Sequence, residues 1–341
     1  DVLLFFSSNK YKKLPIMKTE NYYCGIDVSS ETLDICYQTP EGKKHHLQVS
    51  NTKKGFSEIL KTCPKGTHFV MESTGVYHMQ LMFYLHQKKQ TYTIVNALQI
   101  KRYIQMHLER NKSDKKDARR ICEYGIDRQP EPSQMPESAY FECRMLNQAI
   151  HDMTKSITKI INQIHSLKRS GITEESVIKS YQSVLKKLQK EQEKLADKLE
   201  EKLKAWQPEL LKQVQSVKGI GRRAASELII YTQSFKGMES YRQLISYCGL
   251  SPVEYSSGSS IRVRTRICKQ GGKQIRHILY MCALNAKSTN RACRELFDRL
   301  VASGKNKKSA VIAVCNKLLK QIYGCVKNKT MYQDNYVKNL A

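Results

Sequence analysis

Asp114 and Asp117 stand three residues apart in Asn111-Lys112-Ser113-Asp114-Lys115-Lys116-Asp117-Ala118-Arg119-Arg120, a stretch that reads as a helix. Three residues is close to one helical turn, so both carboxylates project from one face. Two neighbouring acids repel each other, and a fold retains the pair at low cost when a positive charge lies between them. A divalent cation bound by carboxylate oxygens meets that need. Two more acids end apolar runs upstream: Asp27 follows Tyr22-Tyr23-Cys24-Gly25-Ile26, and Glu72 follows Phe69-Val70-Met71. Acids at the ends of two strands plus a pair on a later helix are the donor set of a metal-dependent nuclease centre. The alternative is a solvated helix face on which Asp114 and Asp117 pair with Lys115, Lys116, Arg119 and Arg120.

A second group of reactive residues follows much later. Ser251-Pro252-Val253-Glu254-Tyr255-Ser256-Ser257-Gly258-Ser259-Ser260 reads as a flexible loop just ahead of Arg262, Arg264 and Arg266. A serine that attacks a phosphodiester needs an exposed hydroxyl on a mobile turn and cations to hold the anionic transition state. Both are present, although serine-glycine loops are more often plain connections. The three arginines alternate in an extended run, so they face one way and suit a phosphate backbone. Upstream, Val217-Lys218-Gly219-Ile220-Gly221 before a helical stretch from Arg222 resembles a helix-hairpin-helix signature. Its glycines would admit a phosphate to the backbone NH groups. With Lys269, Lys273 and Arg276, these residues make the candidate nucleic-acid surface.

The elements that must carry these groups show in the patterning. Tyr22 to Val28, Thr32 to Gln38 and His45 to Ser50 read as three strands, with a turn at Pro40-Glu41-Gly42. Gly55 to Cys63 reads as a helix, Thr67 to Glu72 as a strand, Val76 to Gln87 as a helix and Tyr92 to Asn96 as a strand. Three hairpin-like strands followed by alternating helix and strand is the order of a ribonuclease H-like α/β fold, and it puts acids where Asp27, Glu72, Asp114 and Asp117 stand. Leu146, Ile150, Met153, Ile157, Ile160 or Ile161, Ile164 and Leu167, then Tyr181, Leu185, Leu188, Gln192, Leu195 and Leu199, follow heptad-like steps on either side of Gly171. That is a helical hairpin or a coiled-coil pair, its seam closed within the chain or by another subunit. The domains expected are 17–130 for the acidic α/β part, 136–205 for the helical linker and 206–330 for a mostly helical C-terminal part. A tail follows at 331–341, and 1–16, ahead of Met17, is an extension outside the fold.

The 341 residues suffice for more than one core. With 58 Lys and Arg against 31 Asp and Glu, the formal charge is +27. From Ile261 to Thr330 there are 17 basic residues against two acids, Glu295 and Asp298. A polyanionic partner follows, because basic side chains gain affinity by displacing counterions from phosphates. No apolar stretch approaches the length of a membrane span. The eleven cysteines are scattered singly, without zinc-ribbon spacing, and suit buried thiols in a reducing cytoplasm.

Taken together, Gly25-Ile26-Asp27, Met71-Glu72-Ser73-Thr74-Gly75, Lys112-Ser113-Asp114-Lys115-Lys116-Asp117-Ala118, Gly219-Ile220-Gly221, Gly249-Leu250-Ser251-Pro252 and Ser257-Gly258 resemble the DEDD-type insertion-sequence transposases, the Piv-like recombinases guided by a bridge RNA. The resemblance spans nearly all of Asn21 to Lys329. It implies a RuvC-like N-terminal domain, a coiled-coil linker and a C-terminal transposase domain in a bacterial, nucleoid-associated protein. It carries the four acids onto Asp27, Glu72, Asp114 and Asp117, with Mg²⁺ as the metal, and the serine nucleophile onto Ser257. Ser256 stands where the family often has an acid, and Ser256, Ser259 and Ser260 stay open as alternatives. The partners implied are donor and target double-stranded DNA, a noncoding bridge RNA and further copies of the chain, as a dimer or a synaptic tetramer. The competing readings are a RuvC-like endonuclease that hydrolyses without a covalent intermediate, and a nucleic-acid-binding protein without catalysis.

Overall fold

The computed structural model describes residues 22–73, 75–107, 113–171, 174–257 and 261–334, and for 254–265 it describes no side chains. The chain divides between Met135 and Pro136 into two compact units.

The first unit is built on a five-stranded sheet. β1 (Tyr23–Val28), β2 (Thr32–Gln38) and β3 (Lys44–Ser50) form an antiparallel meander. α1 (Lys53–Thr62) crosses to β4 (His68–Glu72), which lies parallel to β1; α2 (Met79–Gln87) then leads to β5 (Tyr92–Val95), parallel to β4. The order is β3-β2-β1-β4-β5, the mixed sheet that the pattern of three strands and then alternation predicts. β1 is covered on both faces, and its residues alternate between them: Cys24 and Ile26 share one face, while Tyr23, Gly25 and Asp27 share the other. Two helices follow, α3 (Ala97–Met106), which the patterning did not disclose, and α4 (Asp114–Arg128). The chain after α4 runs along β5, where Ser133 N donates to Tyr92 O at 2.8 Å and Ile94 N to Ser133 Oγ at 3.0 Å. That closes a sheet edge that would otherwise present unpaired backbone groups.

α4 lies directly on the sheet because two glycines leave room for it. A Cβ on Gly25 would stand 2.1 Å from Cys122 N and 2.4 Å from Ala118 O, and one on Gly125 would stand 2.8 Å from the Tyr23 ring. Residues 118 and 122 thus sit over Gly25, and residue 125 over Tyr23. The helix therefore runs opposite to β1, and its first turn, with Asp114 and Asp117, extends toward the end of β1 that carries Asp27. Ala118, Ile121 and Cys122 bury fully against Tyr23, Cys36, Val70, Val95 and Ile100.

The second unit opens with two 32-residue helices, α5 (Ser138–Arg169) and α6 (Glu175–Trp206). They turn about Gly171, whose φ of +75° favours a residue without Cβ. The heptad seam closes within the chain, and Gln192 on it donates to Thr154 Oγ1 at 2.7 Å and Ile150 O at 3.2 Å. α7 (Pro208–Ser216), α8 (Arg222–Tyr231) and α9 (Tyr241–Tyr247) precede a hairpin of β6 (Pro252–Ser257) and β7 (Ile261–Ile267). α10 (Lys273–Thr289), α11 (Arg291–Ala302) and α12 (Lys307–Asn328) complete it. Tyr140, Cys143, Ile150, Leu199 and Leu203 from the base of the long hairpin share one core with Leu211, Val214, Leu228, Leu279, Val314 and Leu318. The helical linker and the C-terminal helices read from sequence as separate segments are thus packed as one body.

Ser251 to Ser260 differs from the loop expected. Residues 252–257 form a strand, paired antiparallel with β7 in the register Ser256↔Arg262 and Ser257↔Ile261, with a bulge between Val253 and Tyr255. The β-branched and aromatic residues Val253, Tyr255, Ile261, Val263 and Thr265 favour a ladder, and in the sequence only Gly258 between them is a turn signal. Residues 258–260 lie outside the described ones. All eleven thiols are unbridged and nine are buried, and no described helix is long and apolar enough to cross a membrane.

Gly25→Ala sets a new methyl group against backbone atoms of α4, which cannot rotate away. The variant is expected to lose about 3 kcal/mol of stability, read as a lower urea midpoint for the first unit.

Candidate acidic site and basic surfaces

Strand register brings Asp27 and Glu72 together. Ile26 pairs in parallel with Met71, so Asp27 and Glu72 are the next residues on adjacent strands. They point to the face opposite Ile26 and Met71, both fully buried, and neighbouring strands lie about 4.8 Å apart. This is the face that α4 covers. Ser113 caps α4, its Oγ accepting from Lys116 N at 3.4 Å, and the first turn holds both Asp114 and Asp117. Acids are favoured there because the helix dipole is positive at that end.

A fifth acid joins this face that motif reading missed. Asp34 on β2 is the direct partner of Asp27 and is 5% exposed. Its two oxygens are committed to His46 Nε2 at 2.8 Å and Gln48 Nε2 at 2.9 Å. A signal for it existed: a hairpin turning at Ser29–Glu31 places residue 34 opposite residue 27. The side-chain pattern of Leu33 and Ile35 inward, with Asp34 and Cys36 on the other face, agrees.

The helix is held down by a further acid. Glu123, one turn past the motif, receives Lys44 Nζ at 2.8 Å from β3, Arg119 Nε at 3.1 Å and the Arg120 guanidinium. Burial alone would raise its pKa, but the hydrogen bonds from Lys44, Arg119 and Arg120 outweigh it and hold the carboxyl at about 2. Arg119 and Arg120, two of the cations expected on a solvated face, both reach Glu123. One turn further along the helix Tyr103 donates to Asp127, and Cys122 Sγ donates to Tyr23 O at 3.3 Å.

Among the described residues no group of three or more His, Cys, Asp or Glu side chains is arranged to hold a metal ion. What fits a hard divalent cation is the donor chemistry, carboxylate oxygens carried to one end of one sheet face.

The basic residues read from sequence are dispersed through the second unit. Gly219, at φ +101°, packs against Ala286 of α10, where a Cβ would meet Ala286 Cβ at 2.6 Å, whereas Gly221 faces open space. Lys218 pairs with Asp334. Arg222 pairs with Glu193, with Asp197 at 2.7 Å and with Glu200 at 3.4 Å, all on α6. Arg276 donates to Gly271 O. Arg266, Lys269 and Lys273 are exposed. Arg262 and Arg264 lie on β7 and Ser257 ends β6, their side chains outside the described residues.

Residues 24–169, which hold all four acids and α4, match a family model described as transposase, that of the DEDD proteins of IS110. Residues 211–298, which hold the α7–α8 turn and the β6–β7 hairpin, match the transposase IS116/IS110/IS902 family. The chain belongs to the IS110 family of transposases. The activity class of this family is DNA recombination, and its DEDD domain points to use of a divalent metal. The chain is 26% identical over 322 residues to the pilin gene-inverting proteins of Moraxella lacunata and Moraxella bovis, covering 89% of this chain and 95% of each relative. It is 25% identical over 118 residues, 35% of its length, to an uncharacterised 43.6 kDa protein of insertion element IS110 from Streptomyces coelicolor, covering 29% of that protein.

The Glu123 cluster should appear in the acid limb of stability. Because the folded carboxyl titrates near 2 rather than at its ordinary 4.5, its contribution is full above pH 4.5 and fades as pH falls toward 2. Glu123→Gln is expected to lower the urea midpoint at pH 7, with the gap to the unmodified protein narrowing across that window.

Proposed function

We propose that this IS110-family transposase cuts and rejoins DNA strands through a covalent 5′-phosphoserine intermediate, with a RuvC-like acidic site and a bridge RNA as guide. The observation that carries the acidic half is the register of Asp27 beside Glu72 under the first turn of α4. On this reading Asp27, Glu72, Asp114 and Asp117 would hold Mg²⁺, which supplies polarisation of the scissile phosphate and stabilisation of the leaving oxygen. The Ser257 hydroxyl gives up its proton and its oxygen bonds to phosphorus as the bond to the 3′-oxygen breaks. The 3′-hydroxyl leaves and the 5′-phosphate stays on serine. A 3′-hydroxyl from another strand reverses the step, so the bond energy is conserved and no nucleotide triphosphate is consumed. On this reading Ser257 Oγ is the nucleophile, and the basic surface that includes Arg262, Arg264 and Arg266 holds the nucleic acid.

Other features support the remaining parts. The +27 charge suits donor and target duplexes together with an RNA held by backbone and shape. Exposed Met145, Ile161, Val177 and Val184 on α5 and α6 offer apolar surface to a second copy of the chain, in line with a dimer and a synaptic tetramer. The Moraxella relatives, named for inverting a pilin gene, suggest that the reaction here joins as well as cuts.

The test is a denaturing-gel assay with Mg²⁺, labelled donor-end DNA and RNA transcribed from the element's flank. The unmodified chain should give a slow-migrating protein–DNA adduct, with at least a hundredfold loss in Ser257→Ala and in Asp27→Ala. Cleavage that persists in Ser257→Ala without any adduct would replace this reading with a hydrolytic RuvC-like endonuclease.

A further inference from the structure

Most cations of the second unit that the structure describes near acids are neutralised by them, as Arg222 is by α6 and Lys218 by Asp334. One region departs from that pattern. A groove of about 1230 Å³ runs between the face of α5 spanning residues 151–166, the start of α8 at Gly221 and Arg223, and the first half of α10. Its lining includes Lys155, Lys159, Arg223 and Lys273 and contains no acid. Lys155 has Asp152 beside it at 2.9 Å, outside the groove. Among the described residues Lys159, Arg223 and Lys273 make no ion pair.

The walls are fixed by bonds beneath the surface. His151 Nε2 meets the buried Glu227 carboxylate at 2.6 Å, and Asn147 donates to the same oxygen at 2.8 Å, tying α5 to α8. Thr154 Oγ1 accepts from Arg223 Nη2 at 2.7 Å and from Gln192 of α6 at 2.7 Å. Glu227, bonded to His151 of the groove lining, is therefore buried and occupied. Between the cations, Thr158, Asn162, Gln163 and Ser166 offer neutral hydrogen-bonding groups along α5, while Ile278 and Met281 add apolar surface to the α10 wall beyond Lys273.

We propose that this groove binds a single strand of nucleic acid, phosphates toward Lys155, Lys159, Arg223 and Lys273 and bases or sugars toward Ile278 and Met281. Residues 151–166 of a helix extend about 22 Å, which suits a run of several phosphates. The volume lies just above that of small-molecule pockets, about 300–1,000 Å³, and so fits a short strand. Neutral amides and hydroxyls between lysines favour a backbone of any sequence, the mode of strand binding that combines a basic track with apolar contact. The inference deepens the proposed function, on which it rests for the nature of the anion, by assigning α5 a binding face besides its seam.

The test uses the full chain and fluorescence anisotropy of 12-mers of oligo-dT and oligo-U and of an unrelated 12-base-pair duplex, across a salt series. Lys159→Gln/Lys273→Gln removes one cation from each wall. Lys179→Gln/Lys194→Gln removes the same charge from α6, where both lysines pair with glutamates. The groove variant should lose strand affinity, and its slope of log K against log salt should flatten by about 1.4, roughly 0.7 per phosphate contact for a single strand. The α6 variant should match the parent. A loss with oligo-dT alone assigns the groove to DNA, with oligo-U alone to RNA, and with both to the shared backbone. An unchanged groove variant, an equal loss in the α6 variant, or a loss as large on the duplex overturns the proposal. If the unchanged groove variant comes from a parent that still forms the serine adduct, only the groove fails and the recombinase reading stands.

Discussion

The contact between β1 and α4 over Gly25 governs the first unit. A helix normally stands off a sheet by the thickness of two side-chain layers, and here one layer is missing. The backbone of Ala118 and Cys122 descends into the space that a Cβ would fill. Cys122 can then donate to the Tyr23 carbonyl, and Ile121 and Ala118 enter the same core as Val70 and Val95. The helix cannot slide, because residue 125 is also a glycine set against Tyr23, so the positions of Asp114 and Asp117 relative to Asp27 are determined by two absent side chains. Glu123 adds direction: drawing Lys44, Arg119 and Arg120 to one point, it orients the helix about its axis and binds it to the far strand β3.

Charge is apportioned unevenly for a reason that this packing makes visible. Acids gathered on one sheet face raise the free energy of that face, and the fold answers with donors instead of dispersal. Asp34 takes His46 and Gln48, and Glu123 takes three cations. In the second unit the acids of α6 draw in Arg222, which leaves the adjacent Arg223 to face away from them. Two consecutive arginines at the start of α8 thus have different partners, one tied to the acids of α6 and one bonded to Thr154 of α5. A tally of basic residues cannot separate them, because the separation depends on where α6 lies.

That distinction marks the boundary of what the sequence disclosed. The strands of the first unit were legible because each is a short alternating run bounded by turn residues, and the order of the sheet follows from hairpins first and crossovers later. Asp27 and Glu72 were legible because strand-terminal acids after apolar runs are conspicuous. Asp34 was not, since a single acid within an alternating strand looks like a solvent-facing position until the opposite strand is in register with it. α3 was hidden because its apolar residues Ile100 and Tyr103 are too few to make a period. The helical hairpin was plain from its heptads, but its union with the C-terminal helices depends on Leu199 and Leu203 meeting Leu211 and Val214 around a short bend, which periodicity does not encode. Gly219 was read for the ligand it could admit, whereas its positive φ and the neighbouring Ala286 account for it through packing.

The β6–β7 hairpin changes how the serine question should be framed. On a loose loop, four serines would compete on equal terms for the role of nucleophile. Within a ladder the backbone is placed by its pairing, and Ser256 and Ser257 occupy the last two described rungs of β6, opposite Arg262 and Ile261. A nucleophile must be delivered repeatedly to one geometry, because a misplacement of about 1 Å costs on the order of a hundredfold in rate. Backbone bonded on a ladder meets that demand. The bulge between Val253 and Tyr255 strengthens local twist and re-aims the strand end. On the proposed mechanism the pairing of β6 with β7 would hold the backbone of Ser257 in one place through both the cutting and the rejoining step.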